Sequence, residues 1–365
     1  MPAAAPPASR PDITALIPAR NEARAIDACL AGVLGQDLAG RTLEVVVVMD
    51  RSADDTEARL AAWQARDARV RLLSLPSSLV SEKLNVGLRA ARGRYVVRMD
   101  AHSEYAADYI RRSVELLEAS GADAVGGIQV PLPGAPTPTG RAIAGLQDTW
   151  LGLGGGAHRK AGYEGEARTL WLGALRLETA RRVGGFDEAL FRSEDNDFYQ
   201  RLRAAGGRLL VSASIRASYV CRPTLRTLAQ QQFVTGREIA PTLRRNRRAF
   251  GGRHLVPGLA VVLGLALLSG AVLAPSWRTP LAVGLGLLGL VYLLLVVVNA
   301  AGVARRAGAA TFVPAAVGTV IVHVAYGVGT LLGLPGALVA HRRGPRPDAG
   351  SMSPAESDAS GRPSA

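Results

Sequence analysis

An apolar run ending in an acid, one spacer and an imidazole, Tyr95-Val96-Val97-Arg98-Met99-Asp100-Ala101-His102, carries two groups able to ligate a divalent cation. On an extended backbone Asp100 and His102 fall on the same side. At the carboxyl end of a strand they reach the edge where open α/β sheets bind ligands. One carboxylate and one imidazole are too few for a closed structural site, but they suit a cation whose remaining positions come from a substrate diphosphate. An exposed Asp and His on a turn would satisfy the same segment, so the surrounding sequence decides. Three more polar clusters follow apolar runs: Pro18-Ala19-Arg20-Asn21-Glu22, Asp50, and Glu194-Asp195. Each alone reads as a turn or a helix cap; together they line one sheet edge.

The elements that must position these groups alternate. Ile13 to Pro18, Leu43 to Met49, Val70 to Leu75 and Tyr95 to Met99 read as strands. Helical spacing covers Asn21 to Leu34, the stretch after Thr56 to about Asp67, and Lys83 to Arg92, which Gly93 closes. This alternation predicts a mostly parallel sheet with right-handed crossovers. A helix at Ala107 to Ser120 and a strand near Ala124 to Val130 follow, and the glycine-rich stretch Gly152 to Arg168 reads as a mobile active-site loop. Thr169 to Ala174 reads as a strand, Glu178 to Val183 and Glu194 to Ala205 as helices, and Arg208 to Val220 as a strand.

Charge and hydropathy divide the 365 residues into two regimes. Leu255–Leu273, Leu281–Val298 and Phe312–Ala340 are apolar segments of membrane-spanning character. Much of the net charge of +13 clusters beside them, at Arg237, Arg244, Arg245, Arg247, Arg248 and Arg253. That pattern reads as a cytoplasmic flank facing anionic lipid, and no nucleic-acid-binding motif competes with it. With Arg244–Arg253 inside, Pro275–Pro280 falls outside and Arg305 and Arg306 inside. His341-Arg342-Arg343 then argues that the third segment does not cross simply and that the tail is cytoplasmic. Gly284-Leu285-Gly286-Leu287-Leu288-Gly289 matches a dinucleotide-loop pattern without the required βα turn; like Gly329 and Gly333, it reads as small residues at a helix contact. His323 and Tyr326 at membrane depth call for a partner, either a lipid acceptor or an interhelical hydrogen bond. Cys29 and Cys221 form no disulfide framework or metal spacing, and the N-terminus lacks the apolar core of a signal peptide. The expected organisation is a disordered 1–12, a catalytic domain over 13–222, basic connecting helices over 223–254, two to three transmembrane helices over 255–340, and a disordered 341–365.

In its order of IPARNE, a strand ending in DRSADDT, KLNVGLRAARGRYVVRMDAH, and GGFDEALFRSEDNDFYQRLRAAGG, the chain resembles family 2 glycosyltransferases with the GT-A fold. The DAH variant, RSEDNDFYQRL and the membrane-helical tail look most like the succinoglycan-biosynthesis (ExoA-type) glucosyltransferases of bacterial exopolysaccharide pathways. The catalytic resemblance runs from about Ile13 to Val220. It implies an α/β, Rossmann-like catalytic domain followed by a transmembrane helical region. It also implies that Pro18, Arg20, Asn21 and Glu22 line the nucleotide pocket, and that Asp50 accepts a hydrogen bond from the base. Lys83 and Asn85 would serve the donor, Lys83 by offsetting diphosphate charge, although a solvated lysine at a helix start reads the same way. Asp100 and His102 would hold Mn²⁺ or Mg²⁺ against the donor, and Asp195 would be the general base with Glu194 beside it. Two departures stand out: Met49 where many relatives have a second acid, and His102 in place of the more usual acid, which favours Mn²⁺. Glu194-Asp195 also reads as an acid pair favoured at a helix N-terminus. Gln230 to Arg237 lacks the Gln-x-x-Arg-Trp of processive relatives, which implies transfer of a single sugar.

The implied enzyme is a membrane-anchored, metal-dependent, inverting glycosyltransferase of the inner (plasma) membrane with a cytoplasmic catalytic domain. Its donor is a nucleotide sugar, UDP- rather than GDP-linked. Its acceptor is a polyprenyl-diphosphate-linked saccharide, held among membrane lipid and leading to cell-surface polysaccharide. A metal stabilises the leaving diphosphate, so one base on the opposite face suffices. Two rivals stay in view. A nucleotidyltransferase should carry a G-x-G-x-R loop where Pro18 to Glu22 stands. A non-catalytic membrane scaffold that senses nucleotide sugar would have no need of Asp195, Asp100 and His102.

Overall fold

The structure, a computed structural model, describes residues 10–339. The expectations of disorder before residue 10 and after residue 340, and the place of His341-Arg342-Arg343, lie outside the described residues.

The first half alternates as its apolar runs dictate: β1 (Ile13–Ala19), α1 (Ile26–Leu34), β2 (Leu43–Met49), α2 (Thr56–Arg66), β3 (Val70–Ser74), α3 (Val80–Ala90), β4 (Tyr95–Arg98), β5 (Ser103–Tyr105) and α4 (Tyr109–Ser120). Then come β6 (Ala124–Leu132), α5 (Pro138–Gly145), β7 (Gly165–Glu166), β8 (Ala174–Arg176), α6 (Leu177–Val183), α7 (Glu194–Ala204), β9 (Leu209–Val220), α8 (Leu225–Arg237) and α9 (Ile239–Arg245). One nine-stranded sheet runs β3-β2-β1-β4-β8-β6-β9-β5, with β7 added to β9. The β3-β2-β1-β4 half is parallel. Beyond it the sheet is mixed, because β8 runs antiparallel to both β4 and β6 while β6 and β9 are parallel.

β1 and β2 are buried along almost their whole length, the mark of strands covered on both faces. Ile13, Ala15 and Ile17 pack toward α1 and α4 through Ile26, Leu30, Ile110 and Val114. Leu16, with Val46 and Val48 of β2, packs on the other face toward Leu84 and Leu88 of α3 and Phe198 and Leu202 of α7. Glycine is required at two close approaches. A side-chain carbon at Gly93 would lie 2.5 Å from the Thr14 backbone, and one at Gly127 would lie 2.2 Å from the Ile215 carbonyl, where the β6–β9 register shifts.

Three differences from expectation have local causes. α1 starts at Ile26 rather than Asn21, because Asn21 adopts a left-handed backbone (φ 55°) that a helix cannot contain. The expected strand Thr169–Ala174 is instead a bend with Leu172 at φ 51°, and β8 begins only at Ala174. Within Gly152–Arg168 the chain forms turns, a 3₁₀ turn at Ala157–Arg159 and the short strand β7.

The apolar end forms α10 (Val256–Leu273), α11 (Arg278–Ala307) and α12 (Phe312–Val339). Among the described residues, three stretches are long and apolar enough to cross a membrane: Gly252–Leu273, Arg278–Ala307 and Ala309–Pro335. The first two are almost wholly uncovered by protein, whereas 39% of the third is buried. The third segment is a single helix, and its cover is α8 and α9 as well as the other two spans. α8 lies so close that side-chain carbons at Gly329 and Gly333 would meet the carbonyls of Phe233 and Arg237 at 2.2 and 2.1 Å. Gly236 of α8 approaches the Tyr326 carbonyl in the same way, at 2.1 Å. The helix contact expected at Gly329 and Gly333 is therefore present, while Gly284, Gly286 and Gly289 face open space and make none. His323 and Tyr326 form interhelical hydrogen bonds, to Tyr292 (2.9 Å) and His254 (3.1 Å).

Candidate active site

The loops after β1, β2 and β4 are stitched together at one sheet edge. Asn21 keeps its left-handed backbone because its carboxamide accepts from the Ala53 amide at 2.7 Å and its own amide donates to Ser52 Oγ at 3.1 Å. The Glu22 amide donates to Thr56 Oγ1 at 2.8 Å, and Asp54 accepts from the amides of Ala23 and Thr56. Asp50 accepts from the Arg51 amide at 2.7 Å and pairs with Arg20 Nε at 3.3 Å. Lys83 is buried from the α3 side and lies near Asp50 and Arg20. Desolvation lowers its ammonium pKa and Asp50 acts against that shift. Pro18, Arg20, Asn21, Asp50 and Lys83 thus share one corner. Asn85 does not join them: its fully buried carboxamide donates to the Phe186 carbonyl (2.9 Å) and Glu188 (2.8 Å) and accepts from the Phe186 amide (2.8 Å). It fastens α3 to the chain leading into α7.

Past β4 the turn is pinned by Tyr105, whose hydroxyl accepts from the Asp100 amide at 2.6 Å and donates to the Asp100 carbonyl at 3.0 Å. His102 Nδ1 lies 3.1 Å from Glu22 Oε1, a hydrogen bond that raises the imidazole pKa. Such a bond leaves Nε2 to face a ligand, the arrangement in which a carboxylate orients a metal-bound histidine. No group of three or more His, Cys, Asp or Glu side chains suited to a metal exists among the described residues. Asp100 and His102 flank one turn, with Asp100 held by Arg98 and His102 by Glu22, and two such groups leave most positions of a cation to a phosphorylated ligand.

Arg98 joins this turn to α7. Its Nε donates to Asp100 at 3.2 Å and its Nη1 to Glu194 at 3.1 Å. Burial opposes the Arg98 charge, but Asp100, Glu194 and Asp195 outweigh it and raise its pKa. Helix α7 is entered through Ser193 at φ 65°, and Asp195 follows in its first turn, its carboxylate accepting from the Asn196 amide at 2.7 Å. Burial, with Glu194 adding and Arg98 subtracting, pushes the Asp195 carboxyl up from 3.8 to about 6. A carboxylate poised there is a competent base near neutrality.

The sequence-derived residues thus meet in two groups, with Asn85 standing apart as a brace. Arg98 and Tyr105 were missed. A signal for Arg98 was present: it is the sole charge inside an apolar strand, two residues before Asp100 and so on the same side. Nothing in the sequence marked Tyr105.

Residues 14–166 match the family model described as glycosyl transferase family 2. The succinoglycan biosynthesis protein ExoA of Rhizobium meliloti (strain 1021) is 33% identical over 272 residues, 74% of this chain and 80% of that protein. Succinoglycan biosynthesis protein ExoO of the same organism is 40% identical over a shorter stretch, 31% of each chain. The mannosyltransferase PcManGT from Pyrobaculum calidifontis, solved with GDP-Man and Mn²⁺, shares the fold with a TM-score of 0.56 at 20% identity, covering 86% of this chain and 88% of that one.

Proposed function

The chain belongs to glycosyltransferase family 2, and we propose that it moves one sugar, with inversion, from a UDP-linked donor to a saccharide on a polyprenyl diphosphate at the cytoplasmic membrane face. Pro18, Arg20, Asn21 and Asp50 take the nucleoside end of the donor, Lys83 offsets the charge of its diphosphate, and Asn85 holds α3 in place behind them. Asp100 and His102, with Glu22 orienting the imidazole, take the divalent cation, for which the nitrogen ligand favours Mn²⁺ over Mg²⁺. When bound, that cation supplies Lewis-acid stabilisation of the leaving diphosphate. Asp195 accepts the proton of the acceptor hydroxyl as its oxygen attacks the anomeric carbon and the bond to the diphosphate breaks. A single base on the face opposite the leaving group gives inversion, as in the glycosidases that invert.

The observation that supports this reading is the Arg98 bridge, which pairs one guanidinium with Asp100, the proposed metal ligand, and with Glu194, the neighbour of the proposed base. The relationship to ExoA supports a product destined for extracellular polysaccharide. The membrane reading rests on α10 and α11, whose ends return to the catalytic domain: Arg306 pairs with Asp148 at 3.2 Å. The test is turnover of a panel of UDP- and GDP-sugars by full-length protein in native lipid with Mn²⁺. Acceptor-dependent release of UDP is the expected result; release of GDP alone would reassign the donor, and no turnover of any nucleotide sugar would sink the proposal.

A further inference from the structure

On the side of Asp195 toward the membrane helices, four cations converge on a few acids, with Asp195 acting on Arg159 and Glu194 and Glu238 on Arg192. Arg159 comes from the glycine-rich stretch, Arg192 from the residue before the Ser193 turn, Arg222 from the end of β9, and Arg253 from the start of the first apolar span. Among the described residues none of the four forms an ion pair. Arg159 lies within electrostatic reach of Asp195 and Arg253, Arg192 of Arg222 and Glu194, and Arg222 of His102. Burial is the largest influence on both Arg159 and Arg192 and lowers their pKa, outweighing the acids that face them, Asp195 for Arg159 and Glu194 and Glu238 for Arg192.

Two glycines make room for this arrangement. A side-chain carbon at Gly155 would fall 1.5 Å from the Arg253 guanidinium, and one at Gly156 would fall 2.6 Å from the His158 ring. Arg159 donates to His158 Nε2 at 3.3 Å and to Gln147 Oε1. With Nε2 accepting, the neutral imidazole carries its proton on Nδ1, and His158 Nδ1 is buried with no hydrogen-bond partner. Burial first, then Arg159 and Arg253, hold that imidazole down to about 3, so it stays neutral. An orphaned donor inside a cluster of desolvated cations calls for an anion.

We propose that His158, Arg159, Arg192, Arg222 and Arg253 form a second anion site that binds the phosphates of a membrane-embedded polyprenyl acceptor and presents its hydroxyl to Asp195. This assignment rests on the transferase reading above. A lipid source of the phosphate is favoured by what adjoins Arg253. Phe250, Gly251, Gly252 and Leu255, with Leu243 and Arg247, line a cleft of about 320 Å³ that is mostly apolar and opens where the first span begins. An isoprenoid chain fits such a surface, and a soluble phosphate has no use for it.

The test uses full-length protein in phosphatidylcholine nanodiscs, probed by native mass spectrometry with a long-chain polyprenyl diphosphate, the matching polyprenol, and phosphatidylglycerol. The diphosphate should be retained in preference to both others. Arg222→Gln and Arg253→Gln, both at exposed positions, should each weaken it by about tenfold, as loss of a charge-assisted hydrogen bond does. Equal retention of phosphatidylglycerol would make this a general headgroup site and overturn the proposal, as would unchanged retention in both variants. Binding of UDP with Mn²⁺ is measured on the same samples. If the arginine variants lose that instead, the cluster serves the donor and the proposal fails. If the wild type binds polyprenyl diphosphate but no nucleotide, the transferase reading falls while this site stands.

Discussion

The Arg98 guanidinium stands 3.1 Å from the Glu194 carboxylate, so the strand end that carries Asp100 and the helix start that carries Glu194 and Asp195 share one counter-ion. Removing one partner from an enclosed ion pair costs about 3–5 kcal/mol. Arg98→Gln should therefore lower the melting temperature markedly. Because Arg98 also pulls the Asp195 pKa down, the acid limb of the pH–rate profile should move upward in the residual activity. A limb that stays in place would show that the guanidinium does not act on the base.

Asp195→Asn keeps the shape of the side chain but cannot accept a proton. Turnover should fall by roughly 10²–10⁴-fold, with donor and metal affinity retained because the contacts proposed for them lie at Asp50, Asp100 and His102. A residue serving only at a helix start would lose little in turnover on the same change. Initial rates beside equilibrium binding of UDP separate the two.

The raised Asp195 pKa has opposite consequences for rate and stability. As a base the carboxyl must be ionised, so turnover should rise with pH through about 6. A group whose folded pKa exceeds its unfolded value contributes stability below the unfolded value, and that contribution is lost as pH rises through the folded one. At pH 8 Asp195→Asn should therefore be more stable than the wild type, by on the order of 2–3 kcal/mol, and the gap should close toward pH 4. Denaturant titrations at the two pH values would measure it; equal stability at pH 8 would mean that the ionised carboxylate is well solvated.

His102→Ala removes one of the two protein ligands proposed for the cation, so the Mn²⁺ concentration for half-maximal rate should rise well beyond any change in UDP affinity. High Mn²⁺ should partly restore His102→Ala but not Asp100→Ala, which loses the charged ligand. Glu22→Gln, which keeps the hydrogen bond to His102 but removes the charge behind it, should give an intermediate shift. An unchanged metal requirement in His102→Ala would return His102 to an ordinary turn residue.

Membrane topology can be read from engineered thiols, because both native cysteines are buried. A cysteine at Ser276, in the connection between α10 and α11, should react with an impermeant maleimide in intact cells, and one at Ser353 should react only after lysis. Labelling at Ser353 from outside would give the third helix a full crossing.

The site was legible where chemistry and an apolar strand meet. β2 has the limits expected of it because every residue of Leu43–Met49 sits in the sheet interior or at its end. Asp100 and His102 were visible because β4 delivers them to an edge. What escaped was set by contacts far apart in sequence. The start of α1 depends on Asn21 reaching Ser52 and Ala53, and the antiparallel entry of β8 depends on a bend at Leu172. The donor role expected of Asn85 could not be weighed without seeing Phe186 and Glu188 beside it. Glycine spacing misled at Gly284–Gly289, since an open helix face and a packed one share that pattern until the partner helix is placed.

The three glycine approaches between α8 and α12 bear on how this enzyme can be handled. Backbone-to-backbone contact tolerates no slippage, so α8 and α12 hold one fixed register. A fragment cut before Leu255 would leave Phe233, Gly236 and Arg237 bare along one side of α8. Truncation to obtain a water-soluble catalytic piece therefore removes a supporting wall of that piece, and the portion that folds as one body includes the apolar helix α12.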